Sequence, residues 1–218
     1  MPASPIPSPG LTTDPGFSRP SSVLLAMDSY FAYQATSWLL RQAYRPQTVI
    51  LAGQAPTSYP PRLGEIEIET KTENLAALCL RHQLRWHYQA DIPLEKFIAG
   101  SNTDFLLVAC WPDKITRPII DSVRHAALNL HPSMLPDYRG RYPVIDQLNA
   151  DETRFGVSLH LIDDEFDRGD IVLQQDFELE PPVSRRRIEK RAARLGAELF
   201  LQALDSHARP GWQLIRQG

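Results

Sequence analysis

The stretch that decides the fold is DFLLVACW, residues 104–111, the clearest core strand in the chain. Its apolar residues follow one another without alternation, which is typical of a strand covered by helices on both faces. Similar apolar runs, SVLLAM (22–27) and TVILAG (48–53), precede it, and AALNLH (126–131) follows it. Because segments of helical length separate these runs, the sequence predicts an α/β sheet that is parallel in its first part.

Apolar periodicity and chain breakers predict the remaining elements. Further strands are predicted at 86–90, 156–163 and 170–179, and helices at 30–44, 71–84, 93–101, 118–124, 142–150 and 184–208. The first 20 residues are rich in proline and serine and predict a flexible tail, because such a composition cannot bury enough apolar surface to fold. We therefore expect a tail at 1–20 and one folded domain at 21–218.

The composition is that of a globular protein. The chain has 218 residues, of which 43% are hydrophobic and 22% are charged, so a sizeable core is expected. A net charge of −3 gives no bulk attraction to nucleic acid or to an anionic membrane. No apolar run approaches the ~18 residues of a membrane helix, and the N-terminus has no signal-peptide pattern. Cys79 and Cys110 form no CxxC pair, so we expect buried free thiols and a cytoplasmic location.

The residues that can carry chemistry lie in LNLHPSMLPDYRGRYP (128–143) and in the acidic turn IDDEFDRGD (162–170). Asn129 and His131 are two residues apart on a strand and therefore face the same side, at the strand end where α/β sheets bind ligands. An amide N–H can stabilise an oxyanion, and an imidazole can exchange protons near neutral pH. A carboxylate beside the ring can orient it and raise its pKa. Such a set suits acyl transfer to an amine.

Other interpretations of these groups stay open on residue pattern alone. His131 could be a hydrogen-bonded structural histidine, and the acidic turn could be a solvated connection between strands. A metal site formed by His131, His160 and the carboxylates is also conceivable, but the turn lacks the EF-hand spacing and His160 lies inside a strand. We therefore expect no metal, and we expect His160 in the core or behind the catalytic groups.

Two motifs in register narrow these alternatives. HPSMLPDYRGRYP followed by GVSLHLIDDEFDRGDIV resembles the formyltransferase family that uses 10-formyltetrahydrofolate. The first motif is Asn-x-His-Pro-Ser at 129–133, and the second is Asp-Glu-x-Asp-x-Gly at 164–169. The resemblance covers residues 100–180 and implies a Rossmann-like formyltransferase fold, with a largely parallel central sheet and helices on both faces. It also implies 10-formyltetrahydrofolate as the formyl donor, without a metal.

The resemblance also implies roles for single residues. Asn129 and His131 would converge on the formyl oxygen, Asp167 would assist His131, and Ser133 would support them. The acceptor would lie against a loop formed by Tyr138, Arg139 and Gly140. The folate would contact the loop after the central strand and the acidic turn, through Trp111, Pro112, Asp113, Ile115, Ile162, Asp163 and Asp164. For Trp111 the alternative is a core aromatic that caps the sheet.

The acceptor is less well defined by the sequence. AMDSYFAYQA (26–35) lacks the glycine-rich phosphate loop of the glycinamide ribonucleotide branch, whereas YRGRYP (138–143) is similar to the methionyl-tRNA and sugar branches. Methionyl-tRNA formyltransferases add a C-terminal barrel domain, which we do not expect here. The last predicted helix could contact phosphates of a tRNA or a nucleotide sugar, or could simply be a solvated face. The helix carries six cations within ten residues, Arg185, Arg186, Arg187, Lys190, Arg191 and Arg194, and the first four are the predicted phosphate contacts.

The resulting hypothesis is an N-formyltransferase that moves a formyl group from 10-formyltetrahydrofolate to a small-molecule or tRNA-borne primary amine. The first alternative is a folate-binding or regulatory module with little turnover, suggested by the unusual segment at 26–35. The second is a formyltetrahydrofolate hydrolase, in which water takes the place of the amine.

Overall fold

The central feature is one seven-stranded sheet, seen in a computed structural model that describes residues 19–54, 74–207 and 212–217. Its strands follow the order β3-β2-β1-β4-β5-β6-β7 across the sheet. The strands are β1 Ser22–Ala26, β2 Thr48–Leu51, β3 Trp86–Tyr88, β4 Phe105–Ala109, β5 Ala126–His131, β6 Arg154–Leu161 and β7 Ile171–Glu178.

Six helices connect and cover these strands within the described ranges. They are α1 Tyr30–Arg41, α2 Leu75–Arg81, α3 Leu94–Ser101, α4 Arg117–Asp121, α5 Pro143–Asn149 and α6 Arg185–His207. Each strand and helix predicted from the sequence is present, although the helix predicted at 71–84 is described only from residue 74 onward. No helix in the described part of the chain is long and apolar enough to cross a membrane. Of the predicted tail at 1–20, residues 1–18 lie outside the described residues.

The sheet is parallel from β3 to β5 and antiparallel beyond it. β1 pairs in parallel with β2 and β4, β2 pairs in parallel with β3, and β4 pairs in parallel with β5. β6 runs antiparallel to β5, and β7 runs antiparallel to β6. The prediction of a sheet that is parallel in its first part is therefore confirmed.

The continuous apolar sequence of β4 follows from its central position. Phe105, Leu107 and Ala109 pack into the core under α1, α2 and α6. The residues between them, Leu106 and Val108, pack into a second core under α3 and α4. Because both faces of the strand are buried, polar residues have no face on which to alternate.

Two predicted boundaries move for local reasons. The helix predicted at 30–44 ends at Arg41, because Ala43 takes a left-handed φ of 57° and Tyr44 turns into the core. The strand predicted at 156–163 ends at Leu161, because the chain turns back towards β7 there: the Leu161 N–H donates to the carbonyl of Asp170 at 2.9 Å, and the Ile162 N–H donates to the carbonyl of Ala127 at 3.0 Å. The strand thus stops where the acidic turn of residues 162–170 begins.

Candidate active site

Strand register brings an amide and two imidazoles together at the end of β5. Asn129 and His131 lie on one face of β5, and the antiparallel register places His160 of β6 opposite Asn129. The Asn129 amide nitrogen, Nδ2, lies 2.9 Å from Nε2 of His160. The rings of His131 and His160 are edge-on, with centroids 6.4 Å apart.

Asp167 completes the cluster from the turn that joins β6 to β7. Its Oδ1 accepts a hydrogen bond from Asn129 Nδ2 at 3.2 Å and lies 3.4 Å from Nδ1 of His131. Its Oδ2 accepts from the backbone N–H of Gly140 at 2.9 Å. Burial raises the pKa of Asp167, but the rings of His160 and His131 and the Gly140 N–H together hold the pKa below its usual value. The carboxylate is therefore ionised at neutral pH.

His131 is buried and has a defined tautomer. Its Nε2 lies 2.8 Å from the carbonyl oxygen of Tyr138, and because a carbonyl only accepts, Nε2 carries the hydrogen. Burial lowers the pKa of His131, although the Asp167 carboxylate and the Tyr138 carbonyl act in the opposite direction. At neutral pH the ring is therefore uncharged, with a lone pair on Nδ1 beside Asp167.

His160 defines the orientation of the Asn129 amide. Its Nδ1 donates to the carbonyl of Leu161 at 2.8 Å, so its Nε2 accepts the hydrogen bond from Asn129. Both N–H groups of Asn129 thus donate inside the cluster, one to His160 and one to Asp167. A carbonyl oxygen that accepted from this amide would replace one of these two bonds.

The turn that carries Asp167 depends on a glycine. Asp167 itself has a left-handed φ of 55°. A Cβ atom on Gly169 would lie 1.9 Å from the carbonyl oxygen of Leu161, far inside van der Waals contact. The x-Asp-x-Gly spacing therefore has a steric reason, because only glycine lets the backbone fold back closely enough to aim Asp167 at β5.

A cavity of about 660 Å³ opens in front of the cluster and is within the usual size of small-molecule sites. Asn129, His131, His160 and Asp167 all line it. Of the residues predicted to contact folate, Trp111, Pro112, Asp113, Ile115, Ile162 and Asp163 line the cavity. The prediction for Asp164 differs, since this exposed residue is not part of the lining and its N–H bonds to the Asp163 side chain at 2.6 Å.

Trp111 matches both predictions made for it, as a core aromatic and as a residue of the folate site. It is partly buried against the core under α3 and α4, and it also lines the cavity.

Ser133 is buried away from the cluster: its hydroxyl donates to the carbonyl of Asp137 at 2.7 Å. Its own carbonyl accepts from the Ser158 hydroxyl at 2.7 Å, so Ser133 holds the loop after β5 in place.

The residues of the predicted acceptor loop mostly hold the cluster. The Tyr138 carbonyl accepts from His131, and its hydroxyl donates to Glu152 at 2.5 Å. Arg139 donates to Gln217 at 2.9 Å, and only Gly140 of the three lines the cavity. The neighbouring residues that also line it, and that sequence reasoning missed, are Arg141 and Tyr142.

The far side of the cavity was also missed by sequence reasoning. It is lined by Met27, Ser29 and Phe31 around the start of α1, and by Arg185 and Glu189 of α6. Arg185 donates to Glu189 at 2.6 Å, and Glu189 is only 8% exposed. The signal for this pair in the sequence is the opposite charge of Arg185 and Glu189, four residues apart in a predicted helix.

Most of the cations predicted to meet phosphate are occupied within the protein. Arg185 pairs with Glu189, the Arg186 guanidinium lies 4.4 Å above the Tyr30 ring, and Arg187 donates to the carbonyls of Glu180 and Pro182. Phosphate contact by these residues stays a prediction, since each of the three already has a partner within the protein. Arg187 and Lys190 line a separate groove between α1 and α6.

Cys79 and Cys110 are both free, as the sequence predicts, and burial raises the pKa of Cys79 to about 12 and that of Cys110 to about 11. Among the described residues, no group of three or more His, Cys, Asp or Glu side chains could hold a metal ion.

The strand order defines a Rossmann-like α/β protein, and the Asn–His–Asp cluster at the end of β5 is its candidate active site. The family model described as Formyl transferase matches residues 45–204, and the chain belongs to this family.

Relatives and solved structures agree with this assignment. Methionyl-tRNA formyltransferase of Syntrophus aciditrophicus (strain SB) is 34% identical over 110 residues, covering 49% of this chain and 35% of the relative. The enzyme of the same name from Thermotoga neapolitana is 31% identical over 110 residues, covering 50% and 35%. The match thus spans about a third of the length of these relatives.

The fold is shared with solved formyltransferases at low identity. Phosphoribosylglycinamide formyltransferase from Streptococcus pneumoniae TIGR4 aligns with a TM-score of 0.65 at 13% identity, over 86% of this chain and 98% of that one. The N-formyltransferase from Helicobacter canadensis, solved with folinic acid and dTDP-3-aminofucose, aligns with a TM-score of 0.63 at 17% identity, over 91% and 68%. The predicted Rossmann-like formyltransferase fold is confirmed.

Replacing Gly169 by alanine tests the steric origin of the turn. Because the new Cβ would meet the Leu161 carbonyl, we expect Gly169→Ala to lower the free energy of unfolding by about 1–3 kcal/mol. The matched control is Gly100→Ala in α3, where the added Cβ meets nothing within 4 Å. Since alanine favours helix, the control should be unchanged or more stable by up to about 1 kcal/mol. Equal urea midpoints for the two variants would contradict the steric argument.

Proposed function

We propose that this protein is an N-formyltransferase that moves a formyl group from 10-formyltetrahydrofolate to a primary amine. The observation that carries the proposal is the His131 ring. It is neutral, with its free Nδ1 beside an ionised Asp167 and next to the Asn129 amide, all lining one cavity. A neutral imidazole is ready to take a proton, and the carboxylate 3.4 Å away would stabilise the cation that results.

In the proposed reaction the amine nitrogen attacks the formyl carbon, and the carbonyl electron pair moves onto the formyl oxygen. An N–H of Asn129 donates to this oxyanion, exchanging one of its present bonds for the new one. His131 takes the proton that the amine loses. When the bond between the formyl carbon and N10 breaks, its electron pair goes to N10, and His131 returns the proton there. The products are a formamide and tetrahydrofolate.

The groups around His131 and Asp167 favour these reaction steps. The Tyr138 carbonyl accepts from Nε2 of His131 in both the neutral and the charged form of the ring, and the Asp167 carboxylate beside Nδ1 gains a hydrogen bond when His131 takes the proton. The Gly140 N–H holds the other oxygen of Asp167. Family membership favours transfer to an amine over hydrolysis, in which water would take the amine's place. We place the reaction in the cytoplasm, where thiols such as Cys79 and Cys110 stay reduced.

For the donor, we propose that the pteridine lies between the loop at 111–115 and the start of the acidic turn at 162–163. Both segments line the cavity on the side of Trp111. Two aromatic side chains that line the cavity are largely exposed, Tyr142 at 57% and Phe166 at 61%. They could cover the pteridine ring and the benzoyl group of the folate. The N-formyltransferase from Helicobacter canadensis, which shares the fold, was solved with folinic acid, and this is in keeping with a folate donor.

For the acceptor, we propose an amine attached to a phosphate-bearing group, either a nucleotide sugar or a tRNA. A groove of about 360 Å³ between α1 and α6 gathers five cations around Trp38. They are Arg41, Arg187, Lys190, Arg191 and Arg194. Arg194 donates to Glu198 at 3.0 Å, but among the described residues no acidic side chain lines the groove, although the chain as a whole carries a net charge of −3. Positive charge concentrated in this way attracts phosphate oxygens.

Substitutions of His131 and Asp167 test the chemistry. We expect His131→Ala and Asp167→Asn each to lower kcat by about 10²–10⁴-fold without loss of folding, because proton transfer from the amine is impaired. The matched control is Asp176→Asn, since Asp176 pairs with Arg154 on the exposed surface of the sheet edge. Turnover close to wild type in His131→Ala would dispose of the proposed base.

The pH dependence sharpens the same test. Because burial lowers the pKa of His131, the wild-type rate should fall only below about pH 6.5, where the ring becomes charged. Asp167 raises this pKa, so its removal in Asp167→Asn should move the acidic limb to still lower pH while the maximal rate drops. His131→Ala should lack this limb.

Folate binding can be measured without an acceptor. Trp111→Ala should weaken the binding of 5-formyltetrahydrofolate in a calorimetric titration by about tenfold. The lost contact is stacking of the indole on the pteridine, and stacking of a nucleic-acid base on an aromatic side chain is worth ~1–3 kcal/mol. The matched control is Trp86→Ala, which removes an indole from β3 at the opposite edge of the sheet from β7. It should leave the binding unchanged. Binding without turnover on any phosphate-bearing amine would favour the alternative of a folate-binding module. No binding to the wild type would contradict the proposed donor.

The groove is tested by removing two cations that have no ion pair among the described residues. We expect Lys190→Gln/Arg191→Gln to raise KM for a phosphate-bearing acceptor by about threefold to tenfold, with less change in kcat and with an effect that shrinks as salt is added. Lys96→Gln/Arg81→Gln removes the same charge elsewhere and should leave KM unchanged. A rise in KM that is equal in both double variants would contradict a role for the groove.

A further inference from the structure

The C-terminal segment Trp212–Gln217 lies against the start of β7. Ile215 exchanges two backbone hydrogen bonds with Ile171, at 2.9 and 2.8 Å, which extends the sheet edge by one antiparallel bridge. The Trp212 indole donates to the hydroxyl of Ser206 at the end of α6, at 3.2 Å. The segment is therefore held at both ends, and it passes beside the acidic turn that carries Asp167.

The last described side chain, that of Gln217, joins two loops. Its Oε1 accepts from Arg139 Nη2 at 2.9 Å and from Arg139 Nε at 3.3 Å. Its Nε2 donates to the carbonyl of Gly169 at 2.6 Å. The orientation of the amide is unambiguous, because a guanidinium can only donate and a carbonyl can only accept.

The two joined residues stand next to the supports of the cluster. Arg139 lies between Tyr138, whose carbonyl accepts from His131, and Gly140, whose N–H donates to Asp167. Gly169 is two residues after Asp167, in the tight part of the turn. A displacement of either loop would thus change the 3.4 Å separation of His131 and Asp167.

Each of the two joined loops contains a residue with a strained backbone conformation. Tyr138 and Asp167 have left-handed φ angles of 56° and 55° although neither is glycine. Residues in this region are strained and persist only where the surroundings hold them. Arg139 has no other hydrogen bond or ion pair in the described part of the chain, so its guanidinium is dedicated to the bridge.

From these contacts we propose that Gln217 is a positioning residue for formyl transfer. By bridging Arg139 and Gly169, the C-terminal segment sets the separation of His131 and Asp167, and through it the proton affinity of His131. The inference rests on the proposed function for its effect on rate. Its effect on the proton affinity of His131 can be measured without turnover.

The test compares Gln217→Ala with Gln213→Ala. Gln213 is an exposed glutamine of the same segment and has no side-chain hydrogen bond within the described residues, so it is a matched control. We expect Gln217→Ala to lower kcat by about tenfold to a hundredfold, since small misplacements of reacting groups have effects of this order. The affinity for 5-formyltetrahydrofolate should stay within about twofold of wild type, because Gln217 bonds to Arg139 and Gly169 and not to the proposed donor segments at 111–115 and 162–163.

The same variant should shift the titration of His131, followed by NMR of the imidazole carbon-bound protons. If the two loops separate, Asp167 acts less on the ring, and His131 should titrate at lower pH than in the wild type. A residue that only stabilised the fold would lower Tm and leave this titration unchanged. Gln213→Ala should match the wild type in both measurements.

Arg139→Ala cuts the bridge from its other end and keeps the test decisive if Gln217→Ala folds poorly. The double variant Arg139→Ala/Gln217→Ala should be no slower than either single variant, because all three lack the same bridge. Additive losses, or an unchanged His131 titration in Gln217→Ala and Arg139→Ala, would overturn the inference. If the wild type forms no formamide but the titration still shifts, the bridge stands and the proposed function fails.

Discussion

The site depends on one buried negative charge. Asp167 is ionised although burial opposes it, because Asn129, Gly140 and the two histidine rings surround its two oxygens. Each of these groups has its own place in the fold: Asn129 on β5, His160 on β6 and Gly140 in the loop between β5 and α5. A buried carboxylate that lost one of these contacts would be costly, so it keeps the strands and loops in one relative arrangement. The geometry available for catalysis and the stability of this region thus have the same origin.

The sheet supplies the register that this charge requires. β4 is buried on both faces and pairs with β5, so that Val108 lies opposite Asn129. On the other side of β5 the antiparallel β6 brings His160 to the same position. α6 holds this pair closely, since a Cβ on Gly196 would lie 3.1 Å from Val157 and 3.2 Å from Leu130. A shift of one residue in the β5–β6 pairing would turn His160 to the opposite face from Asn129.

The parts that sequence predicts well are those encoded locally. The period of β4 identified the sheet, and the spacing of Asn129 and His131 placed them on one face, because both signals lie within a few residues. The bridge made by Gln217 joins positions 78 and 48 residues away, and no local pattern records it. The same limit explains the cations of α6: a run of basic residues shows charge, but only the fold shows that Arg186 covers Tyr30. It likewise explains why the Tyr138 backbone, and not its side chain, holds His131.

The start of α1 explains why phosphate recognition would have to lie elsewhere. After β1, Asp28 accepts from the N–H of Leu75 at 2.8 Å and from the Asn74 side chain at 2.5 Å, so its carboxylate caps α2. Ser29 accepts from the N–H of Ala32 at 3.2 Å and caps α1. A carboxylate therefore stands where backbone N–H groups could otherwise hold a phosphate, and one of the free donors of α1 is already satisfied. An acceptor that carries phosphate would instead meet positive charge along α6, and this separates the anchoring of such an acceptor from the cavity in which its amine reacts.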